Sequence, residues 1–314
     1  MSPTDSQSPS SRPAPQTVRR DGPLTWLLFF ACVLLAAGNF VAVRFSNLEL
    51  PPMWGAGLRF ALAAAAFIVI ASVLRIPRPR GAELRQTLVF GFFNFAVFYA
   101  LMYWALVRVT AGTATIVIAA VPLITLLLAG AQRLEKIGAR AVAGALLALA
   151  GIAYLTVTSA QLAVTPLALV ALLLGAASIA QSIILGKRIS HHHPAVINAI
   201  AMSLGAALLL ALSFIRGERW AWPVQPEARW ALIYLASFGS VGLFGLTLLL
   251  VRRWTASATA YVLVVVPIVT LLLEAVIANV PLTFTAVVGA ALVMAGVWFG
   301  ALAGGGGQTS AKPA

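Results

Sequence analysis

Two charged side chains stand where charge is expensive. Arg59 lies about six residues into a long apolar run, and Glu274 is the one acidic residue within any such run. At bilayer depth a charge costs about 2.5–3.5 kcal/mol on insertion scales, and less where it can reach the interface. At about 1.5 Å per helical residue, Arg59 falls roughly 9 Å and Glu274 roughly 7.5 Å from the same side of the bilayer. A pair between them is therefore geometrically open. The chemistry on offer is an outer gate, a substrate-binding charge or a proton-carrying carboxylate. The plainer reading is an arginine that snorkels and a glutamate that merely reaches the interface.

Neutral polar groups join them. Asn39 and Gln181 sit within apolar runs and could hydrogen-bond a polar solute or tie helices together. Asn94 and Asn198 are weaker candidates of the same kind. Phe95, Tyr99 and Tyr103 recur every four residues, which makes one helical face. That face could wall a cavity. Tyr103 and Trp104 could equally belong to an interfacial aromatic belt. Pro122 and Pro267 interrupt two further runs, and each removes a backbone hydrogen bond, to the carbonyls of Ile118 and Leu263 respectively. Freed carbonyls of this kind can face a cavity.

The elements that must hold these groups are membrane helices. Hydrophobic residues make up 61% of the 314 and charged residues only 9%, against about 25% charged in a soluble domain. This surface needs lipid as its solvent. Ten runs are long enough for a hydrocarbon core of about 30 Å: 24–44, 53–74, 86–107, 111–131, 139–158, 164–186, 195–215, 229–251, 256–279 and 282–303. Residues 1–23, rich in Ser, Pro and Gln, and residues 304–314 read as disordered tails. Arg19-Arg20 resembles a signal-peptide start, but the many later spans favour a retained first helix.

The net charge of +13 suggests nucleic acid until the positions are read. With the N-terminus inside, only Arg44, Arg108, Arg216, Arg219 and Arg229 of the 21 Lys and Arg fall outside, and Arg59 falls within a span. This positive-inside bias predicts a multi-pass protein with both termini cytoplasmic and no nucleic-acid partner.

The chain also repeats itself. At an offset of 145, residues 105–155 align with 250–300, and about 17 of the 51 pairs are identical, far above chance. Among them are Arg108 with Arg253, Pro122 with Pro267, Thr125 with Thr270, Gly144 with Gly289 and Gly151 with Gly296. An offset of 142 sets Pro52 on Pro194 and Asn39 on Gln181. Each half then holds five spans, 24–158 and 164–303. Because five is odd, the second half enters from the opposite side. The expected fold is all-α and integral to the membrane, with two inverted five-helix repeats around a central cavity. Paired Pro- or Gly-interrupted spans point to a midplane binding site. The paired glycines read as close helix contacts.

The chain resembles the EamA-type branch of the drug/metabolite transporter superfamily. The matching text is Gly38-Asn39-Phe40-Val41-Ala42, Leu58-Arg59-Phe60, Ala105-Leu106, Thr113-Ala114, Pro122, Glu135 and Gly144-Ala145-Leu146. In the second half it is Pro267 and Gly289-Ala290-Ala291-Leu292 with Ala295-Gly296. The resemblance covers about residues 24–303. It implies a cavity built from spans 1–4 and 6–9, with spans 5 and 10 peripheral, and export of metabolites, amino acids or drugs from a bacterial inner membrane. One departure is that Val280 stands where the second half would repeat Glu135.

No cofactor or metal is expected. Cys32 is the only cysteine, and His191-His192-His193 cannot converge on one ion from consecutive positions. No HExxH, Walker A, GxSxG or dinucleotide motif occurs, which argues against an ATP-driven pump or an enzyme. The partners expected are a small-molecule substrate, membrane lipid and, as a candidate coupling ion, the proton. The alternatives are a lipid flippase and a non-transporting sensor or assembly subunit.

Overall fold

The computed structural model describes residues 22–134, 138–158, 165–189, 192–253 and 256–302, and no strand occurs among them. Both expected tails, apart from residues 22, 23 and their immediate continuation into the first helix, lie outside the described residues. So do Arg19, Arg20, Glu135 and His191.

The helices in chain order are α1 (Pro23–Ser46), α2 (Pro52–Val73), α3 (Gly81–Gly91), α4 (Phe98–Leu106), α5 (Ala111–Ile118), α6 (Val121–Ala131) and α7 (Ala139–Thr158). They continue with α8 (Pro166–Arg188), α9 (Pro194–Ile215), α10 (Pro226–Ala236), α11 (Leu243–Arg253), α12 (Ala256–Ile277) and α13 (Phe284–Val297). A π-helical turn, Phe92–Val97, joins α3 to α4; another, Ser237–Gly242, joins α10 to α11; a third, Trp298–Leu302, follows α13.

Proline begins many of these helices. It occupies the first turn of α1, α2, α6, α8, α9 and α10, where its missing N–H has no intrahelical partner to lose. Thr110 caps α5 and Thr283 caps α13 through their side-chain oxygens. Gly217, at φ +66°, closes α9 in a left-handed conformation that a side chain would resist.

Among the described residues, seven segments are long and apolar enough to cross a membrane: Pro23–Ser46, Pro52–Val73, Gly81–Leu106, Ala111–Ala131, Pro166–Gly186, Pro194–Ile215 and Pro226–Thr247. Ala139–Leu155, Val262–Ile277 and Phe284–Gly300 are apolar but shorter. Large apolar side chains such as Phe214, Val276 and Phe284 are more than three-quarters exposed. Lipid, not water, suits such a surface.

The two prolines do different things. At Pro122 the run breaks: α5 ends at Ile118, and α6 restarts with Pro122 in its first turn. At Pro267 the helix continues through the proline. A proline at a helix start costs nothing, whereas one inside leaves a carbonyl without its usual donor, so the expected parallel between them holds in sequence but not in backbone.

Packing exchanges between the halves. α2 lies on α9 and α7 on α13; α1 packs on α12, α10 and α11, while α8 packs on α5, α6, α3 and α4. The π turns obey the same rule, since Phe92 to Ser237 and Val97 to Gly242 are both steps of 145. Glycines bring α7 and α13 together: a methyl added at Gly296 would stand 2.7 Å from the backbone nitrogen of Ala148. Small residues permit this approach where lipid supplies no hydrophobic drive between helices.

Candidate functional site

Helix ends meet at one pole of the molecule, and glutamates tie them. The Glu49 carboxylate, after α1, accepts from the N–H groups of Val224 (2.8 Å) and Gln225 (2.9 Å) at the start of α10. That of Glu218, after α9, accepts from Met53 (3.3 Å) and Trp54 (2.8 Å) at the start of α2. Trp54 stacks on Trp220 at 4.9 Å. Glu274, near the end of α12, accepts from Ala111 (2.9 Å) and Gly112 (2.7 Å) at the start of α5. The exposed N–H groups and dipole of a helix N-terminus favour a carboxylate in each case.

Glu274 is almost fully buried, and its charge partner is Arg44 in the last turn of α1. The Arg59–Glu274 pair that the matching depths allowed is not made. The physical reason is angular: depth along a helix fixes height, whereas partner choice depends on which way each helix face turns. Arg44, at the end of α1, reaches the carboxylate, and Arg59 is turned toward the π turn Ser237–Gly242.

Arg59 is fully buried. Its Nε donates to Ser240 Oγ at 2.9 Å, and its Nη2 donates to the Gly239 carbonyl at 3.0 Å. Its Nη1 makes a long 3.5 Å contact with the Tyr103 hydroxyl. The guanidinium lies 5.0 Å from the Phe60 ring centre and 5.2 Å from that of Tyr99, within cation–π range. Snorkelling is therefore not what this side chain does.

The π turn makes this junction. Ser240 Oγ donates to the Leu235 carbonyl at 2.9 Å and keeps its lone pairs for Arg59. Gly239 offers its carbonyl to Arg59 and to Asn39, whose Nδ2 donates at 2.9 Å. Any β-carbon at Gly239 would collide with the Asn39 side chain. Beside them, the Tyr234 hydroxyl donates to the Leu35 carbonyl at 3.0 Å, against Gly38.

The other π turn is served in the same way from α8. Ser178 Oγ donates to the Phe93 carbonyl at 2.8 Å, and Ser182 Oγ donates to Asn94 Oδ1 at 2.9 Å. No charge takes part there.

Asn39, Arg59, Tyr99 and Tyr103 are thus brought together. Phe95 stacks on Tyr99 with centres 6.2 Å apart, and Tyr103 is fully buried rather than part of a belt. Trp104 fits the belt better, with the Arg108 guanidinium 3.8 Å from its ring centre. Gln181 stands apart: its Oε1 accepts from Gln132 at 2.7 Å, between α8 and the end of α6. Sequence reasoning missed Arg44, Tyr234, Gly239 and Ser240. The polar break Ser237-Phe238-Gly239-Ser240 within an apolar run was the available signal. No cluster of His, Cys, Asp and Glu among the described residues could hold a metal ion.

Membrane-length helices, a lipid-suited exterior and a buried polar junction between two similar halves define a multi-pass membrane protein of transporter type. The chain belongs to the EamA-like transporter family, which matches residues 24–157 and again 166–301. It is 29% identical over 281 residues to a probable terminal-alkyne amino-acid exporter of Streptantibioticus cattleyicolor, covering 87% of this chain and 91% of that protein. It is 30% identical over 249 residues to the uncharacterized inner membrane transporter YedA of Escherichia coli strain K12, covering 78% and 79%. A protein of known crystal structure shares the fold with a TM-score of 0.63 at 22% identity, over 90% of this chain and 98% of that one. The family is one of transporters, not of enzymes.

Proposed function

We propose that this chain is a secondary transporter that exports small metabolites, amino acids or drugs across a bacterial inner membrane by alternating access, with the proton as coupling ion. Its frame is two inverted five-helix repeats, residues 24–158 and 164–303, around a central chamber, with both termini cytoplasmic.

The observation that carries this reading is how one pole is tied. Glu49 to α10, Glu218 to α2, Glu274 to α5 and Arg44 to Glu274 each join one repeat to the other. A transporter closed on one side needs cross-repeat bonds of this kind, which can release together. The same pole supports inversion. It gathers the end of α12 and the start of α5, two elements that the repeat makes equivalent. The charge bias supports an outer position for this pole, and the name of the Streptantibioticus relative, a probable terminal-alkyne amino-acid exporter, supports an amino-acid-like cargo.

Glu274 is the candidate proton carrier, because neutralising it would weaken both its bond to Arg44 and its hold on α5. The test is flux from proteoliposomes with and without a pH gradient. Gradient-driven flux that is lost in Glu274→Gln supports the role, and unchanged rates remove it.

One observation favours a second reading, a lipid flippase. An apolar groove of about 510 Å³ runs between α1, α10 and α12, lined by Leu34, Gly38, Phe45, Trp230 and Tyr234 among others. Scrambling of labelled lipid by the purified protein would favour it over solute export.

A further inference from the structure

We infer that Arg59 is an anion subsite that takes the carboxylate of an amino-acid-type substrate, with Asn39 beside it as acceptor for an N–H of the same molecule. This deepens the export reading and rests on it.

The argument begins with charge. Guanidinium remains protonated in proteins, and a buried charge is ordinarily paired because leaving it unpaired is costly. Among the described residues Arg59 has no carboxylate partner; it is held by the Ser240 hydroxyl, the Gly239 carbonyl and the phenols of Tyr103 and Tyr99. The two acids nearest in kind are spoken for, with Glu274 on Arg44 and α5, and Glu218 on α2. Breaking the repeat's symmetry, the position equivalent to Arg59 at the offset of 142 is Ala201, which packs on Gly91. Packing at this place therefore does not require an arginine.

Donor arithmetic agrees. Guanidinium has five N–H donors. Ser240 takes the one on Nε and the Gly239 carbonyl one on Nη2, so once the long Tyr103 contact and the Tyr99 phenol give way, the N–H groups left for a carboxylate lie on the two Nη nitrogens. The Phe60 and Tyr99 rings lie together on one side of the guanidinium, with their centres 4.5 Å apart.

A second observation lies on the same carbonyl. Asn39 Oδ1 is buried and has no hydrogen-bond partner, while Asn39 Nδ2 shares the Gly239 oxygen with Arg59 Nη2. The unspent acceptor packs against the Gly239 Cα, next to the carbonyl that Arg59 and Asn39 share. A molecule bearing a carboxylate and a neighbouring N–H satisfies the Arg59 donors and this acceptor, and supplies the missing negative charge. With Arg59 fully buried, this conformer is occluded at the subsite, and the ligand enters when the repeats part.

The test uses the full-length protein in lipid nanodiscs, titrated with N-acetyl-L-phenylalanine and N-acetyl-L-phenylalaninamide, and with L-phenylalanine and L-phenylalaninamide, followed by thermal unfolding. The acids are expected to stabilise the wild type and to bind at least about tenfold more tightly than their amides, as a charge-assisted bidentate contact should. Arg59→Lys keeps a reduced preference, because a point charge remains. Arg59→Gln loses it. The wild-type comparison of each acid with its amide, together with Arg59→Lys, decides the matter if Arg59→Gln fails to fold.

Equal binding of acid and amide, no binding of any acid up to its solubility limit, or a preference that survives Arg59→Gln would each overturn the proposal. Counterflow of labelled L-phenylalanine on the same preparation separates the two ideas. Acid preference without flux of any solute removes the transporter reading alone. Flux of a solute without acid preference removes the subsite alone.

Discussion

Glu274 on α12 holds Arg44 at the end of α1, while the same carboxylate caps the first two N–H groups of α5. One side chain thereby fastens three helices drawn from both repeats. Arg44 is about one-third exposed, so water screens its share of the bond, but the carboxylate is almost wholly enclosed.

This asymmetry sets the order of two substitutions. Glu274→Ala strands Arg44 and two helix N–H groups together, whereas Arg44→Ala leaves the carboxylate still bonded to α5. Breaking a buried pair from its enclosed side costs about 3–5 kcal/mol, and losing a partly exposed partner costs about 1 kcal/mol or less. Thermal unfolding in detergent should show the glutamate variant melting well below the arginine variant. Equal losses would mean that the caps on α5 contribute little.

Gly239 is expected to be the least replaceable residue of the π turn. Gly239→Ala drives its methyl into Asn39, and overpacking of this kind costs about 1–3 kcal/mol. Trimming the neighbour should relieve it. The double variant Asn39→Ala with Gly239→Ala is expected to be more stable than Gly239→Ala alone, with a coupling of about 1 kcal/mol or more. Additive losses in the four-member cycle, read by thermal unfolding, would show that the two side chains do not compete for space.

The stacked pair Trp54 and Trp220 bridges α2 and the segment after α9 at the tied pole. Replacing both by cysteine in a Cys32→Ser background and linking them with a short bifunctional maleimide should hold that pole closed. Flux is expected to stop on linking, while single-cysteine controls treated alike keep theirs. Undiminished flux in the linked protein would mean that this pole does not open during transport.

Much of the frame was legible in the sequence. Apolar runs of membrane length and the offset of 145 are local or periodic signals, and chain chemistry states them directly. That Gly144, Gly151, Gly289 and Gly296 mark close helix contacts was legible too, while the structure decided that the helices they join are α7 and α13. Asn39, Arg59, Tyr99 and Tyr103 were singled out because polar or aromatic groups at such depth need a reason, and they do assemble.

What the linear text could not contain was azimuth. Arg59 and Glu274, close in depth by residue count, face different neighbours because helix rotation and tilt arise from packing against other helices. The π turn at Ser237–Gly242 adds a residue to one turn of helix, which re-aims the Gly239 carbonyl and Ser240 toward Arg59. Residue types and their spacing decided that a buried cation and a buried acid would exist in this membrane protein. Tertiary packing alone decided that the acid would be spent on Arg44 and α5, and that the cation would find no counter-charge among the described residues.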